Sequence, residues 1–385
     1  MMLQDVKRDT IMRKIKTLPL IGMLLIAMGS LVSCEDSFIF DDRSECYSGV
    51  KLRFIYDYHM EPGANSFPAN VDCVTVFVFD TEGNYVTQFS ETTDVLRSES
   101  YRMDLPLAEG SYQLLAYGGI TCEHNKFDFS PDWLNKGRAG NMIDDILVSL
   151  PLSNGESANK LHDLEERTGG LFYGTIPLEI TEDDWGTQSS LREVTLPMMK
   201  DTNNIQIILQ ELSVPDKVDY KNFDFKIIDD NFILDSENNY VSVVTDDYQP
   251  VYKPYAAENR HMGYTEAGVN NGDPSMTDRT KEVQVACAEF STSRLFEGHI
   301  ESARLVITSK ELKDNNGEDK VVVDIPLIKY LAATRGFGLN WIKSDQEYLD
   351  RQSNWTLIFF LQRNEWVKAR VVVNDWTVRI NDIHF

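Results

Sequence analysis

The sequence predicts an all-β protein built from antiparallel sandwiches, and three observations carry that reading. Apolar and polar residues alternate over short segments, the period of a strand with one buried face. Those segments recur at roughly ten-residue spacing, separated by Gly, Pro, Asn and Asp, as in a sandwich joined by tight turns. Tyr, Phe and Trp are plentiful at 16, 19 and 6, whereas helix-favouring Ala-Leu-Glu-Lys blocks are sparse; aromatic side chains suit a pleated surface. At 385 residues the chain exceeds what one core usually holds, about 250–300 residues, so two domains are expected.

The strands follow in order. Val50, Leu52, Phe54 and Tyr56 alternate with Lys51, Arg53 and Asp57, which makes residues 50–58 the first strand. Residues 72–80 are apolar on both faces, with Val74, Val76 and Val78 on one and Phe77 and Phe79 on the other, the pattern of a strand inside a sheet covered on both sides. Thr81, Glu82, Gly83 and Asn84 supply a turn, and residues 85–89 pair back as a hairpin. Further strands span 101–105 and 111–117, the latter ended by Gly118 and Gly119. Residues 120–170 are irregular and read as long loops with a short helix; strands resume at 173–180 and 191–196.

A second cycle begins at residues 204–209 and continues through 223–228 and 240–244, a recurrence that implies a second sandwich of similar build. Residues 246–282, rich in Asp, Asn, Gly, Pro and Tyr, read as a long surface excursion. Strands return at 283–290, 303–308, 321–326, 355–361, 366–373 and 376–380. One helix is expected: Ser344 and Glu347 form a capping box ahead of residues 348–352, satisfying amide groups that have no partner within the helix.

The N-terminus carries an address. Arg13, Lys14 and Lys16 precede an apolar stretch, residues 18–31, that is too short to span a bilayer and has the form of a secretory signal. The stretch ends in Leu31-Val32-Ser33-Cys34, which resembles the lipobox of bacterial lipoproteins. By that resemblance residues 1–33 are a signal peptide, and Cys34 becomes the N-terminus, bearing acyl chains, palmitate among them. Its thiol is what a diacylglyceryl thioether requires, and several chains together make attachment stable. Residues 34–46 form a tether in which Glu35, Asp36, Asp41 and Asp42 resemble the surface-export signal of lipoproteins in the Bacteroidales.

The formal charge of −24 argues against a nucleic-acid partner, which needs clustered Lys and Arg. Removing residues 1–33 deletes five basic and two acidic residues, so the mature balance is −27. Cys46, Cys73 and Cys122 are candidate disulfide cysteines whose pairing the sequence leaves open, and Cys287 reads as a buried free thiol. With no C-x-x-C pair, no H-E-x-x-H, and His59, His124, His162, His261, His299 and His384 scattered, no metal and no cofactor is expected. The pairs Asp229-Asp230 and Asp246-Asp247 read as solvated turns rather than a glycosidase acid and base. Residues 314–319 lack the twelve-residue calcium loop. No nucleophile elbow, Walker loop or dinucleotide fingerprint is present, so the sequence reads as that of a non-enzyme.

Four places together resemble the FimB-like family of fimbrial anchor lipoproteins of the Bacteroidales. They are Cys46 with residues 50–54 and Tyr56, Asp57, Tyr58 and Met60; residues 74–80 with Gly83; Leu171-Phe172-Tyr173-Gly174; and residues 348–352 ahead of Trp376-Thr377-Val378-Arg379. The resemblance implies two tandem transthyretin-like β-sandwich domains, 47–198 and 199–385, with one or two short helices. It also implies a surface lipoprotein of the outer membrane that anchors or caps a fimbrial shaft by β-strand complementation. Its partners would be shaft or accessory subunits, with the membrane held through the N-terminal lipid. A tip adhesin of the same fold, or a glycan-binding surface lipoprotein, is the alternative.

Overall fold

The computed structural model describes residues 46–380, apart from 62, 121, 123–125, 131–141, 151–160, 163–166, 188–189, 213–217, 246–248, 267–278, 337–338, 364 and 374–375. The chain is all-β, with mostly antiparallel sheets and a few short helices, and it divides into two compact units.

The smaller unit includes residues 46–50, Pro106–Glu109 and Ile180–Arg192. Cys46–Ser48 pairs antiparallel with Trp185–Thr187 there. Asp184 organises it: its Oδ2 accepts from the Thr181 amide at 3.0 Å, and its two oxygens receive Arg192 at 2.7 and 3.0 Å. These bonds, led by that from Arg192, hold its carboxyl below the usual range.

In the larger unit, a five-stranded sheet runs in the order Met199–Lys200, Phe172–Ile180, Gly110–Gly118, Val74–Asp80, Tyr85–Glu91. A three-stranded sheet orders Glu193–Pro197, Val50–Ile55, Met103–Leu105. A six-stranded sheet orders Ala256–Glu266, Arg279–Thr292, Asn203–Glu211, Asn354–Gln362, Glu365–Val373, Trp376–Ile380. A second five-stranded sheet orders Asp319–Pro326, Arg304–Lys313, Phe223–Ile228, Val251–Tyr252, Leu161–His162. Two parallel pairs recur at matching places: Val50–Ile55 with Glu193–Pro197, and Asn203–Glu211 with Asn354–Gln362. Parallel neighbours require a long crossover, which the intervening chain supplies.

Alternation sets the core. In Val50–Ile55 every second residue is buried, and Asn203–Glu211 sends Ile205, Ile207 and Leu209 into one large apolar cluster with Trp355, Leu357 and Phe359. Val74–Asp80 is buried on both faces because a further sheet covers its Phe77 side: Leu147–Ser149 lies between Asp128–Ser130 and Ile233–Asp235 and pairs antiparallel with each. Phe129 lies 5.4 Å from Phe77 and 5.1 Å from Tyr117, in edge-to-face contact. The irregular region 120–170 thus contributes strands, paired to a partner from far along the chain, a signal no local period carries. It also supplies the short 3₁₀ turn Ile143–Asp145.

Three further segments differ from the sequence reading. Residues 256–266 are not an excursion: Ala256–Glu266 pairs with Arg279–Thr292 over eleven registered positions, backbone pairing substituting for the missing apolar alternation. Residues 240–244 form no strand, because a turn through Asn238, at φ 65°, returns Tyr240 to a single bridge with Leu234. Asparagine tolerates this left-handed conformation better than most residues. The pair Asp229-Asp230 is no solvated turn: Asp229 is buried and bonds Nδ1 of buried His299 at 2.5 Å. Burial opposes the charge on His299, but that carboxylate outweighs it and lifts the imidazole above its ordinary pKa. Asp246-Asp247 lies outside the described residues.

The expected helix is Asp345–Arg351, capped by Ser344, whose Oγ accepts from the Glu347 amide at 3.0 Å. The Glu347 side chain completes the box one residue early, accepting from the Lys343 amide at 2.9 Å.

Two stability outcomes follow. Cys73 and Cys122 are joined by a disulfide across 49 residues. On a loop-entropy scale Cys73→Ser should lower stability by about 4 kcal/mol, read as a fall in denaturation midpoint that vanishes when both proteins are compared under reductant. Tyr117 is buried with no hydrogen-bond partner for its hydroxyl among the described residues. Tyr117→Phe should therefore leave stability unchanged or raise it by roughly 1 kcal/mol, since an unpaired buried hydroxyl is removed; a drop in thermal midpoint would contradict this account.

Candidate functional site

Cys34 lies outside the described residues, as do Glu35, Asp36, Asp41 and Asp42. The described chain begins at Cys46, in the strand that pairs with Trp185–Thr187. Cys287 is a buried free thiol in Arg279–Thr292. No helix among the described residues is long and apolar enough to cross a membrane. Among the described residues, no three His, Cys, Asp or Glu side chains group to hold a metal. Residues 314–319 are the turn between two strands, with Asp314 Oδ1 accepting from the Asn316 and Glu318 amides at 2.8 and 2.9 Å.

Sheet edges are where another chain can add a strand. Asp319–Pro326 carries Asp319, Lys320, Asp324 and a terminal proline, and its pairing is interrupted by register shifts. Ala256–Glu266 presents Glu258 and Arg260. Tyr85–Glu91 is bulged beside its turn, yet residues 87–90 contain neither charge nor proline.

A polar cleft of about 330 Å³ opens on the six-stranded sheet, lined by Asn204, Gln206, Tyr255, Glu289, Asn354 and Thr356 together with Arg167. Register explains it: Gln206 stands between Glu289 and Thr356, and Asn204 between Ser291 and Asn354. Odd-numbered Ile205 and Ile207 enter the core, so their even-numbered neighbours share the opposite face. Glu289 accepts from Gln206 at 3.2 Å, Tyr255 at 2.8 Å and Arg260 at 2.7 Å. Burial works against the ionised carboxyl of Glu289, but those bonds prevail and hold its pKa low. Beside the cleft, the Lys200 ammonium reaches Ser353 Oγ at 3.4 Å. Burial, then the neighbouring Arg167, pushes its pKa down to about 8.

The second polar cluster is buried. Arg294 grips Asp350 through two bonds of 2.8 and 2.9 Å, and donates to the Asn238 carbonyl at 2.5 Å. Asn238 in turn donates to Asp201 at 3.0 Å. The adjacent helix residue is Arg351, whose guanidinium stacks 4.0 Å from the Tyr58 ring. Two segments that carried the sequence resemblance, 56–60 and 348–352, therefore touch across the fold. Nothing in sequence spacing connected Asp201, Asn238 and Arg294.

The family of fimbrillin-A associated anchor proteins Mfa1 and Mfa2 matches residues 43–382. The chain belongs to this family. Among solved structures, a candidate adhesin of Bacteroides thetaiotaomicron is 36% identical and superposes with a TM-score of 0.68, over 87% of this chain and 99% of that one. A second structure from that organism, described as a candidate polysaccharide binding protein, is 30% identical with a TM-score of 0.62, at the same coverage. The fimbrial anchor protein Mfa2 of Porphyromonas gingivalis is 16% identical, with a TM-score of 0.55 over 86% of this chain and 98% of that one, and shares the fold. No curated protein matches.

This anchor-family fold holds one carboxyl poised near neutrality. Asp201 is fully buried and its Oδ2 has no hydrogen-bond partner among the described residues. Burial raises its pKa to about 7, against the pull of Arg294 and Asn238. The folded-state value exceeds the unfolded one, about 3.9. The stability this group contributes is therefore full below the unfolded pKa and is lost as pH rises through about 7. Asp201→Asn should remove a pH-dependent loss on the order of 2–4 kcal/mol between pH 5 and 8, measured by denaturant titration at both pH values.

Proposed function

We propose that this chain is a surface lipoprotein of the outer membrane that anchors or caps a fimbrial shaft. The observation that carries the reading is the anchor-family match over residues 43–382, directly behind a lipobox-like sequence ending in Cys34. Acylation of Cys34 would fix the chain to the lipid, and the acidic residues that follow would direct it to the outer leaflet. The two parallel pairs at corresponding places support tandem transthyretin-like sandwiches at 47–198 and 199–385.

Attachment to shaft or accessory subunits proceeds, in this proposal, by strand addition at a sheet edge. Residues 87–90 suit an accepting edge, since the charges, proline and register shifts that discourage pairing elsewhere are missing from them. The role is structural and non-enzymatic. It needs a stable platform between lipid and polymer, which the disulfide and the large apolar cluster provide.

Cys34→Ala tests the anchor. Fractionated cells should lose the protein from the outer membrane, and fimbriae should be shed into the medium. Retention of both protein and attached fimbriae at wild-type levels defeats the proposal.

A further inference from the structure

The polar cleft on the six-stranded sheet has features that neither core packing nor anchoring accounts for. Arg167 is exposed, and among the described residues no carboxylate pairs with it or with Lys200. Two neighbouring cations with no counter-ion among the described residues repel, and an anion bound between them relieves that repulsion. The ladder also holds unspent hydrogen-bonding capacity: Asn204 Oδ1, in the lining, and Ser291 Oγ, on the residue opposite it in register, are buried without partners among the described residues. A buried polar atom left unpaired costs free energy that a ligand hydroxyl can recover.

The remaining lining is a comb of short amides and hydroxyls. Asn204 and Asn354 lie side by side, joined at 2.9 Å, and Gln206 and Thr356 form the next rung at 3.4 Å. Adjacent strands stand about 4.8 Å apart, and residues on one face of a strand repeat at about 6.8 Å, so donors and acceptors recur on the scale of a sugar ring. Glu289 is already held by Arg260, Tyr255 and Gln206, so about one lone-pair site, on Oε2, is left to accept a hydroxyl while Arg260 offsets its negative charge. A peptide is a poor fit. The cleft lies on a sheet face and offers side chains rather than a row of main-chain partners, and that lining is dominated by polar groups.

We propose that this cleft binds an acidic sugar residue, its carboxylate between Arg167 and Lys200 and its hydroxyls on Asn204, Gln206 and Asn354. The guanidinium offers a planar fork that matches a carboxylate, and amides next to it read the ring hydroxyls. The proposal uses neither Cys34 nor strand addition, so it adds ligand recognition to the anchoring role without depending on it.

The test is calorimetric titration of the purified full chain with trigalacturonate, with the neutral galactose trimer and with inorganic phosphate. Trigalacturonate should bind, at least tenfold tighter than either other probe, and should weaken as salt rises. Arg167→Gln and Asn354→Ala, both at exposed positions, should each weaken it about tenfold with unchanged thermal midpoints. Equal affinity for the neutral trimer overturns the proposal, because the carboxylate then contributes nothing. Phosphate binding as tightly as trigalacturonate reduces the site to an anion pocket and overturns it, as do the absence of binding and unaltered affinity in both variants. None of these outcomes bears on Cys34 or on fimbrial attachment.

Discussion

The three-strand ladder at the centre of the six-stranded sheet is the constraint on which the rest of the structure depends. Asn203–Glu211 is held in parallel by Asn354–Gln362 and antiparallel by Arg279–Thr292. Because strand side chains alternate, one register decides two surfaces at once. Ile205, Ile207 and Leu209 meet Trp355, Leu357, Phe359 and Phe290 in the core. Asn204 and Gln206 meet Asn354, Thr356 and Glu289 on the opposite face. A slip by one residue would bury the amides and expose the core, so apolar packing enforces the placement of the polar cleft.

The same ladder fastens the helix and the buried charges. Trp355 donates to Asn203 Oδ1 at 3.1 Å and stands edge-on to Tyr348 at 5.5 Å, tying the first rung to helix Asp345–Arg351. That helix supplies Asp350 to Arg294, at the end of Arg279–Thr292, and Arg351 to Tyr58. A buried ion pair of this kind adds little net stability, because desolvation offsets its attraction, but removing one partner is costly. Its contribution lies in fixing one arrangement. Arg294 accepts no substitute geometry while it serves both Asp350 and the Asn238 carbonyl. Asp201 sits at the end of this chain of bonds, which explains how a carboxyl with an unpaired oxygen persists at the centre of the fold.

Much of the fold was legible because it rests on local pattern. The alternation of Val50, Leu52 and Phe54, the doubly apolar run at 74–80 and the Ser344 cap with Glu347 each encode their own conformation. Where local pattern was silent, the reading failed. Residues 256–266 mix Ala, Asn, Arg, His and Gly, and become an eleven-residue strand only through the hydrogen bonds of Arg279–Thr292. Asp128–Ser130 and Leu147–Ser149 are three residues each, too short to show a period, and are completed by Ile233–Asp235. The polar cleft was invisible for a related reason: Asn204, Glu289 and Asn354 stand far apart in sequence, and each alone is an unremarkable surface residue.

By itself the sequence determined the all-β class, the order of most strands, the capped helix, the acidic balance and a lipobox-like Cys34. Each is written in composition, in a period of two, or in a short contiguous motif. Tertiary structure decided which strands became neighbours, that Cys73 joins Cys122, that Asp229 pairs with His299, and that Arg167 lines one cleft with a comb of amides. Those are statements about register and about distances between remote residues. Sequence holds them only implicitly, because they follow from burying every apolar face at once.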